Sequence, residues 1–205
     1  MTVAAVLSDL DGVLVDSVGA ARRAWAAWGD GHGIDGAALM EANHGRPARD
    51  VIASVVDADA VEEGVAAVRE AEIADAGAGR LRALPGAAGV LGLPVVAVVT
   101  SCELPLALAR LRGAGLPVPD VLVTSDMVLH GKPAPDAYLL AAERLGVDPS
   151  DCVVLEDAPA GVAAGRAAGM TVWAVTTTHD PDDLDAAHLV GSGLPELLER
   201  LRRAG

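Results

Sequence analysis

Five short runs of apolar, mostly β-branched residues punctuate the chain, at positions 3–7, 95–99, 121–123, 153–155 and 172–175. Each is too short for a helix of ordinary length and too uniformly apolar for a strand with one wet face, so each is predicted to be a buried parallel strand. Between them, Ala- and Leu-rich stretches at 104–111, 135–145 and 160–168 carry helical spacing, with Pro135 in the first turn of the second. Strand and helix alternate, which predicts an α/β, Rossmann-like, doubly wound parallel sheet. Positions 18–81 break the alternation, with helical patterns at 20–28, 36–42, 48–56 and 60–76 and no strand-like run. They read as an all-helical insert after the first strand, and Leu84-Pro85-Gly86 is the turn back. The expected division is a core of residues 1–15 and 84–205 with an inserted cap domain of residues 16–83. Positions 180–185, acidic and turn-forming, read as a solvated loop and a helix start.

Composition narrows the classes. The chain has 205 residues, 52% hydrophobic and 21% charged, which excludes an intrinsically disordered chain. No apolar run approaches the roughly 18 residues that span a bilayer. With 29 acidic against 15 basic side chains the formal charge is −14. Such a field repels nucleic acid and anionic lipid, so neither is expected as a partner, and an anionic substrate must be caught by local cations. Cys102 and Cys152 form no metal or redox motif, and no basic leader precedes the first strand, so a cytoplasmic protein with reduced thiols is expected, working as a monomer or weak dimer. Among the basic residues Lys132 is the single lysine, either a leftover surface charge or a site that needs a compact ammonium.

Candidate chemistry sits where the predicted strands end. The first runs into Asp9-Leu10-Asp11-Gly12. If extended geometry continues, Asp9 and Asp11 project to the same side of the edge where open α/β sheets place ligands. Paired carboxylates there suit Mg²⁺, which takes one or two carboxylates and leaves room for water and phosphate. Alone, Asp-x-Asp is a weak signal. The second strand runs into Thr100-Ser101 and a helix, a hydroxyl and backbone N–H groups suited to phosphate oxygens. Lys132 follows the third strand, and Glu156-Asp157 ends the fourth. Singly these read as a helix cap, a surface charge and solvated acids; in order at successive strand ends, they argue for one site.

Through Asp9-Leu10-Asp11-Gly12-Val13-Leu14-Val15-Asp16-Ser17, Thr100-Ser101, Gly131-Lys132-Pro133 and Glu156-Asp157 the chain resembles the haloacid dehalogenase superfamily along nearly its whole length. Residues 155–169, 43–50 and 176–178 look most like its sugar-phosphate and glycerol-phosphate phosphatases, in the subgroup of β-phosphoglucomutase. The resemblance implies that Asp9 is the nucleophile forming an aspartyl-phosphate and Asp11 the general acid and then base. It implies Mg²⁺ held by the Asp9 carboxylate, the Asp11 backbone carbonyl and Asp157, with Glu156 in support. Thr100, Ser101 and Lys132 would hold phosphate oxygens, Lys132 also neutralising Asp9.

Single positions sort the branches. Dehalogenases lack the second acid, so Asp11 favours phosphoryl chemistry. Phosphonate hydrolases need a cap lysine, and the one lysine here lies in the core motif. Mutases carry a His on the first cap helix where this chain has Ala21. Substrate choice is expected in the cap, with Arg49, Arg46 and His44 as candidate contacts and Trp25 and Trp28 as core residues. The reading is an Mg²⁺-dependent phosphatase of a small sugar or polyol phosphate; the alternatives are a phosphosugar mutase and a non-catalytic phosphosugar-binding protein.

Overall fold

A computed structural model describes residues 3–43 and 48–204. β1 (Ala5–Ser8) lies inside a six-stranded sheet, flanked on one side by β4 (Val96–Val99) and β5 (Val121–Val123) and on the other by β6 (Cys152–Glu156), β7 (Thr171–Val175) and β8 (Leu189–Gly191). Every neighbouring pair is parallel, and β1 is in register with both flanks, Leu7 opposite Ala97 and Val154. Because successive strand residues face opposite sides, Val6, Val98, Val153, Leu155 and Trp173 meet helices α5 (Ala87–Leu91), α6 (Leu104–Gly113) and α9 (Leu194–Ala204). Ala5, Leu7, Val99, Val154 and Val172 meet α7 (Asp136–Leu145) and α8 (Pro159–Ala167) on the other face. Leu7 is fully buried, so truncating it to alanine would cost roughly 2–5 kcal/mol.

The chain winds outward from β1 through β4 to β5, then returns to the far side of β1 with β6. The order therefore reverses at β1, and the crevice at such a reversal is where this architecture gathers ligands.

Between β1 and β4 lie α1 (Val18–Asp30), α2 (Gly36–Ala42), α3 (Ala48–Ala53) and α4 (Val61–Gly77). They have a core of their own, built from Trp25, Trp28, Met40, Val51, Ile52, Val61 and Val68. The two Trp rings meet edge to face at 5.9 Å, an arrangement their quadrupoles favour. The chain leaves and rejoins the sheet through β2 (Val15–Asp16) and β3 (Arg82–Ala83), an antiparallel pair with Val15 opposite Ala83 and Asp16 opposite Arg82. No helix among the described residues is long and apolar enough to cross a membrane.

The predicted strands and helices are present with ends shifted by a few residues. The 180–185 stretch differs: it makes a 3₁₀ turn, Pro181–Leu184, whose last residue is fully buried against the α7/α8 face. One apolar side chain anchors an otherwise acidic segment. The β8 strand and the α9 helix lie beyond the predicted elements.

Candidate active site

Four strand ends converge on one cleft of about 620 Å³, lined by Asp9, Asp11, Thr100, Ser101, Lys132, Glu156 and Asp157 from the sheet side and by Ala21, Trp25, Arg49, Arg69 and Glu72 from the helical insert. Asp9 directly follows β1 and is nearly buried. Asp11 reaches the cleft by a different route from the extended one expected. It forms an isolated bridge with Val15, and Gly12 turns the chain at φ +74°. A side chain at Gly12 would not fit, because a Cβ there would lie 1.9 Å from Asp157 Oδ2. Both acids line the cleft, but they meet different partners.

Lys132 is the hub of the first set. Its ammonium donates to Asp9 Oδ1 at 2.5 Å, to Glu156 Oε1 at 2.6 Å and to the Val99 carbonyl at 3.1 Å, three acceptors for three donors. Burial works against its charge, but Asp9 and Glu156 outweigh that and hold its pKa well above the usual lysine value. Burial also pushes the Asp9 carboxyl up to about 7; Lys132 opposes the shift, while Glu156 and Asp11 add to it. Asp157 is raised for the same first reason, with Glu156 and Asp9 reinforcing it.

Glu156 is committed on both oxygens. Oε1 also accepts from the Tyr138 hydroxyl at 2.8 Å, and Oε2 accepts from the backbone N–H of Asp157 at 3.0 Å and of Ala158 at 3.3 Å. Such a carboxylate is an organiser, fixing Lys132 on one side and the start of α8 on the other. Asp157 Oδ2 accepts from Thr178 Oγ1, and Thr177 Oγ1 donates to the Gly12 carbonyl, so the segment after β7 braces both acidic loops. Thr100 is buried and its Oγ1 accepts from the Cys102 N–H at 3.1 Å, leaving the hydroxyl proton to point elsewhere. Ser101 is exposed on the cleft wall. The Leu104 N–H at the head of α6 is taken by Asp126 Oδ1 at 3.1 Å, so that helix end offers fewer donors than expected.

Asp9, Glu156 and Asp157 can each present an oxygen within 4.8 Å of the others. Three buried carboxylates against one ammonium leave negative charge uncompensated, and an all-oxygen donor set of this kind fits a hard divalent cation.

A second set surrounds Asp11. Arg110, on α6 and almost wholly buried, is ion-paired through Nη1 with Asp11 Oδ2 and through Nη2 with Glu72 Oε2 at 2.9 Å. Cys102 Sγ donates to Asp11 Oδ2 at 3.1 Å, and burial pushes its pKa well above the thiol range, so it remains a donor. Among the cleft residues of the insert, Arg49 pairs with Glu62, Nη2 to Oε2 at 2.8 Å, and Arg69 pairs with Glu103 at 2.5 Å. His44 and Arg46 lie outside the described residues.

The family model of haloacid dehalogenase-like hydrolases matches residues 3–169. The chain belongs to this family. Hexitol phosphatase A of Escherichia coli (strain K12) is 43% identical over 201 residues, covering 93% of this chain and 91% of the relative. Glycerol-1-phosphate phosphohydrolase 2 of Saccharomyces cerevisiae is 35% identical over 198 residues, covering 90% and 79%. Among solved structures, a hydrolase from Pseudomonas syringae superposes with a TM-score of 0.85 at 26% identity, covering 99% of each chain. Like these phosphatases, this family member is a phosphoric monoester hydrolase.

Arg110, Glu72, Tyr138 and Thr178 escaped the strand-end reading of the sequence. Arg110 left a trace: Leu106, Ala107, Arg110 and Leu111 form the buried stripe of α6, so one charge sits at helical spacing among apolar residues. Glu72 interrupts the stripe of Val61, Gly64, Val68, Asp75 and Ala76 on α4 in the same way.

Proposed function

We propose that this hydrolase is an Mg²⁺-dependent phosphatase of a small sugar or polyol phosphate, acting through a phosphoryl group carried transiently on Asp9. One observation carries the reading: Asp9 is gripped by the buried Lys132 beside Asp157 while Asp11 lines the same cleft. The relatives named above act on hexitol and glycerol phosphates, which supports the substrate class.

In the first step the Asp9 carboxylate attacks phosphorus and the ester P–O bond breaks, its electron pair leaving on the substrate oxygen. Asp11 gives that alkoxide a proton. In the second step Asp11, now a carboxylate, takes a proton from water as the water oxygen attacks phosphorus. The Asp9 carboxylate is thereby released with inorganic phosphate. Lys132 and the Thr100 hydroxyl bind the non-transferred oxygens, with Ser101 beside them, and the ammonium offsets charge that grows in the transition state. The Asp9 and Asp157 carboxylates and the Asp11 backbone carbonyl would hold Mg²⁺, with Glu156 in support. When bound, the ion supplies the positive charge that lets an anionic nucleophile meet a phosphate dianion.

Residues 16–83 serve as the cap, which closes over the phosphate and keeps bulk water out. Arg49, at the cleft margin, is its candidate substrate contact. A mutase would need a proton-transferring imidazole on the first cap helix, and that position is Ala21 on the cleft wall. The test is phosphate release from a panel of hexitol, sugar and glycerol phosphates, with Mg²⁺ and with EDTA, beside Asp9→Asn. Metal-dependent release that vanishes in Asp9→Asn is expected; release that survives the substitution overturns the reading.

A further inference from the structure

Arg110 is costly to bury, and a purely structural site would be served as well by an apolar side chain. Its placement has a more specific consequence. The guanidinium lies between two carboxylates from different parts of the molecule: Asp11 from the loop after β1, and Glu72 from α4 of the helical insert. Both of its terminal nitrogens are used by these acids, so it faces Asp11 instead of waiting for a substrate anion. A planar fork can hold two carboxylates at once in fixed directions, which an ammonium does less well. On Asp11 the contacts are one-sided. Oδ2 receives Arg110 and the Cys102 thiol, whereas Oδ1 is buried and has no hydrogen-bond partner among the described residues.

We infer that Arg110 is a positioning residue: it anchors Asp11 by Oδ2, fixing the carboxyl group that exchanges the proton with the leaving group, and through Glu72 it ties that alignment to the seating of the insert on the core. The inference rests on the proton-transfer role proposed for Asp11. A further contact in the same region, between Arg69 on α4 and Glu103 at the head of α6, gives the insert a second attachment point on the element that carries Arg110. Seating the insert and orienting Asp11 are then one event, because the same guanidinium serves both.

The readout that separates alignment from simple stability is leaving-group dependence. p-Nitrophenyl phosphate departs as a stabilised phenolate and hardly needs a proton, whereas an alkyl phosphate does. The measurement is kcat for p-nitrophenyl phosphate and for the best alkyl phosphate of the panel above, with the parent, Arg110→Met, Arg110→Lys, Glu72→Gln and Asp11→Asn. General acid catalysis is worth about 10²–10⁴-fold, so Arg110→Met is expected to raise the aryl-to-alkyl kcat ratio by at least about 10-fold. Arg110→Lys should restore part of the loss, and Glu72→Gln should move the ratio in the same direction by about 3-fold, with the larger effect in kcat and not in KM. Glu72→Gln preserves shape and decides the question if Arg110→Met does not fold. A parent-like ratio in Glu72→Gln overturns the link to the insert, and equal losses on both esters in Arg110→Met overturn the alignment. If Asp11→Asn itself leaves the ratio unchanged, the role of Asp11 has failed, and the inference falls with it for that separate, visible reason.

Discussion

The Tyr138 ring stands under the Lys132 ammonium, 5.0 Å from nitrogen to ring centre, while its hydroxyl donates to the same Glu156 oxygen that Lys132 holds. One fully buried aromatic residue thus serves as floor for the cation and as clamp for the cation's partner. Lys132, with three acceptors and a ring around it, has a compact cage that a planar guanidinium would not fill.

Lys132→Arg therefore tests size as well as charge. Phosphate release should fall by about 10²-fold or more, the scale seen when one charge-stabilising donor is misplaced. Circular dichroism should report a folded protein, since the positive charge among the acids is retained. Wild-type turnover in this variant would show that only the charge matters at this position.

Gly161, in the first turn of α8, stands against the Glu156 carboxylate; a Cβ there would lie 1.7 Å from Oε1. Carboxylate and helix cannot both keep their places in Gly161→Ala. The expected cost is about 1–3 kcal/mol, as for other overpacked sites. Thermal melts would read the stability loss, and activity should drop further than the melt alone explains because Glu156 also sets Lys132. An unchanged Tm would mean the helix shifts freely.

Within the insert, Asp75 on α4 is buried and bridges two arginines, Arg23 Nη2 at 2.7 Å and Arg80 Nη1 at 3.0 Å. The Arg23 hydrogen bond above all holds its carboxyl below the ordinary value of 3.8, with Arg80 adding to the effect. A lowered folded-state pKa means the stabilisation is complete above that ordinary value and disappears as the pH falls through the folded one. Both arginines are about half exposed, so the pairing is worth about 1 kcal/mol. Asp75→Asn should lose about that much at pH 6 in urea melts. As the pH is lowered below 3.8 the gap between variant and parent should narrow; a gap that stays constant with falling pH would assign the loss to packing.

The fold was legible because its strands are buried on both sides: runs such as 121–123 have no polar alternation and could hardly be anything but interior strands. Asp9, Lys132, Glu156 and Asp157 were legible for a related reason, since a strand end at the reversal of a parallel sheet is where charged residues have work to do. The Arg110–Glu72 pair was not, because its partners are 38 residues apart and meet only through the packing of α4 on α6. β8 was missed because it holds only two apolar residues, Leu189 and Val190, before Gly191, whereas the helical spacing of Leu194, Leu197, Leu198 and Leu201 on α9 was legible. The straight route to Asp11 failed at Leu10, where the chain bends and the carbonyl accepts from the Leu14 and Val15 N–H groups, a turn that the spacing of the two acids does not encode.

The two-residue pair Val15–Asp16 and Arg82–Ala83 brings both ends of the helical insert to one point on the sheet. For the polypeptide that makes the sheet, everything between them is topologically a hairpin loop, and the entropic cost of closing a loop rises only with the logarithm of its length. A gene could therefore lengthen, shorten or exchange this segment and leave the strand order, the register and the four converging strand ends as they are. The doorway is narrow and common to both directions, so new leaving-group preferences can evolve on one side of it while the phosphoryl chemistry on the other is inherited, as long as an acid is kept where Glu72 meets Arg110.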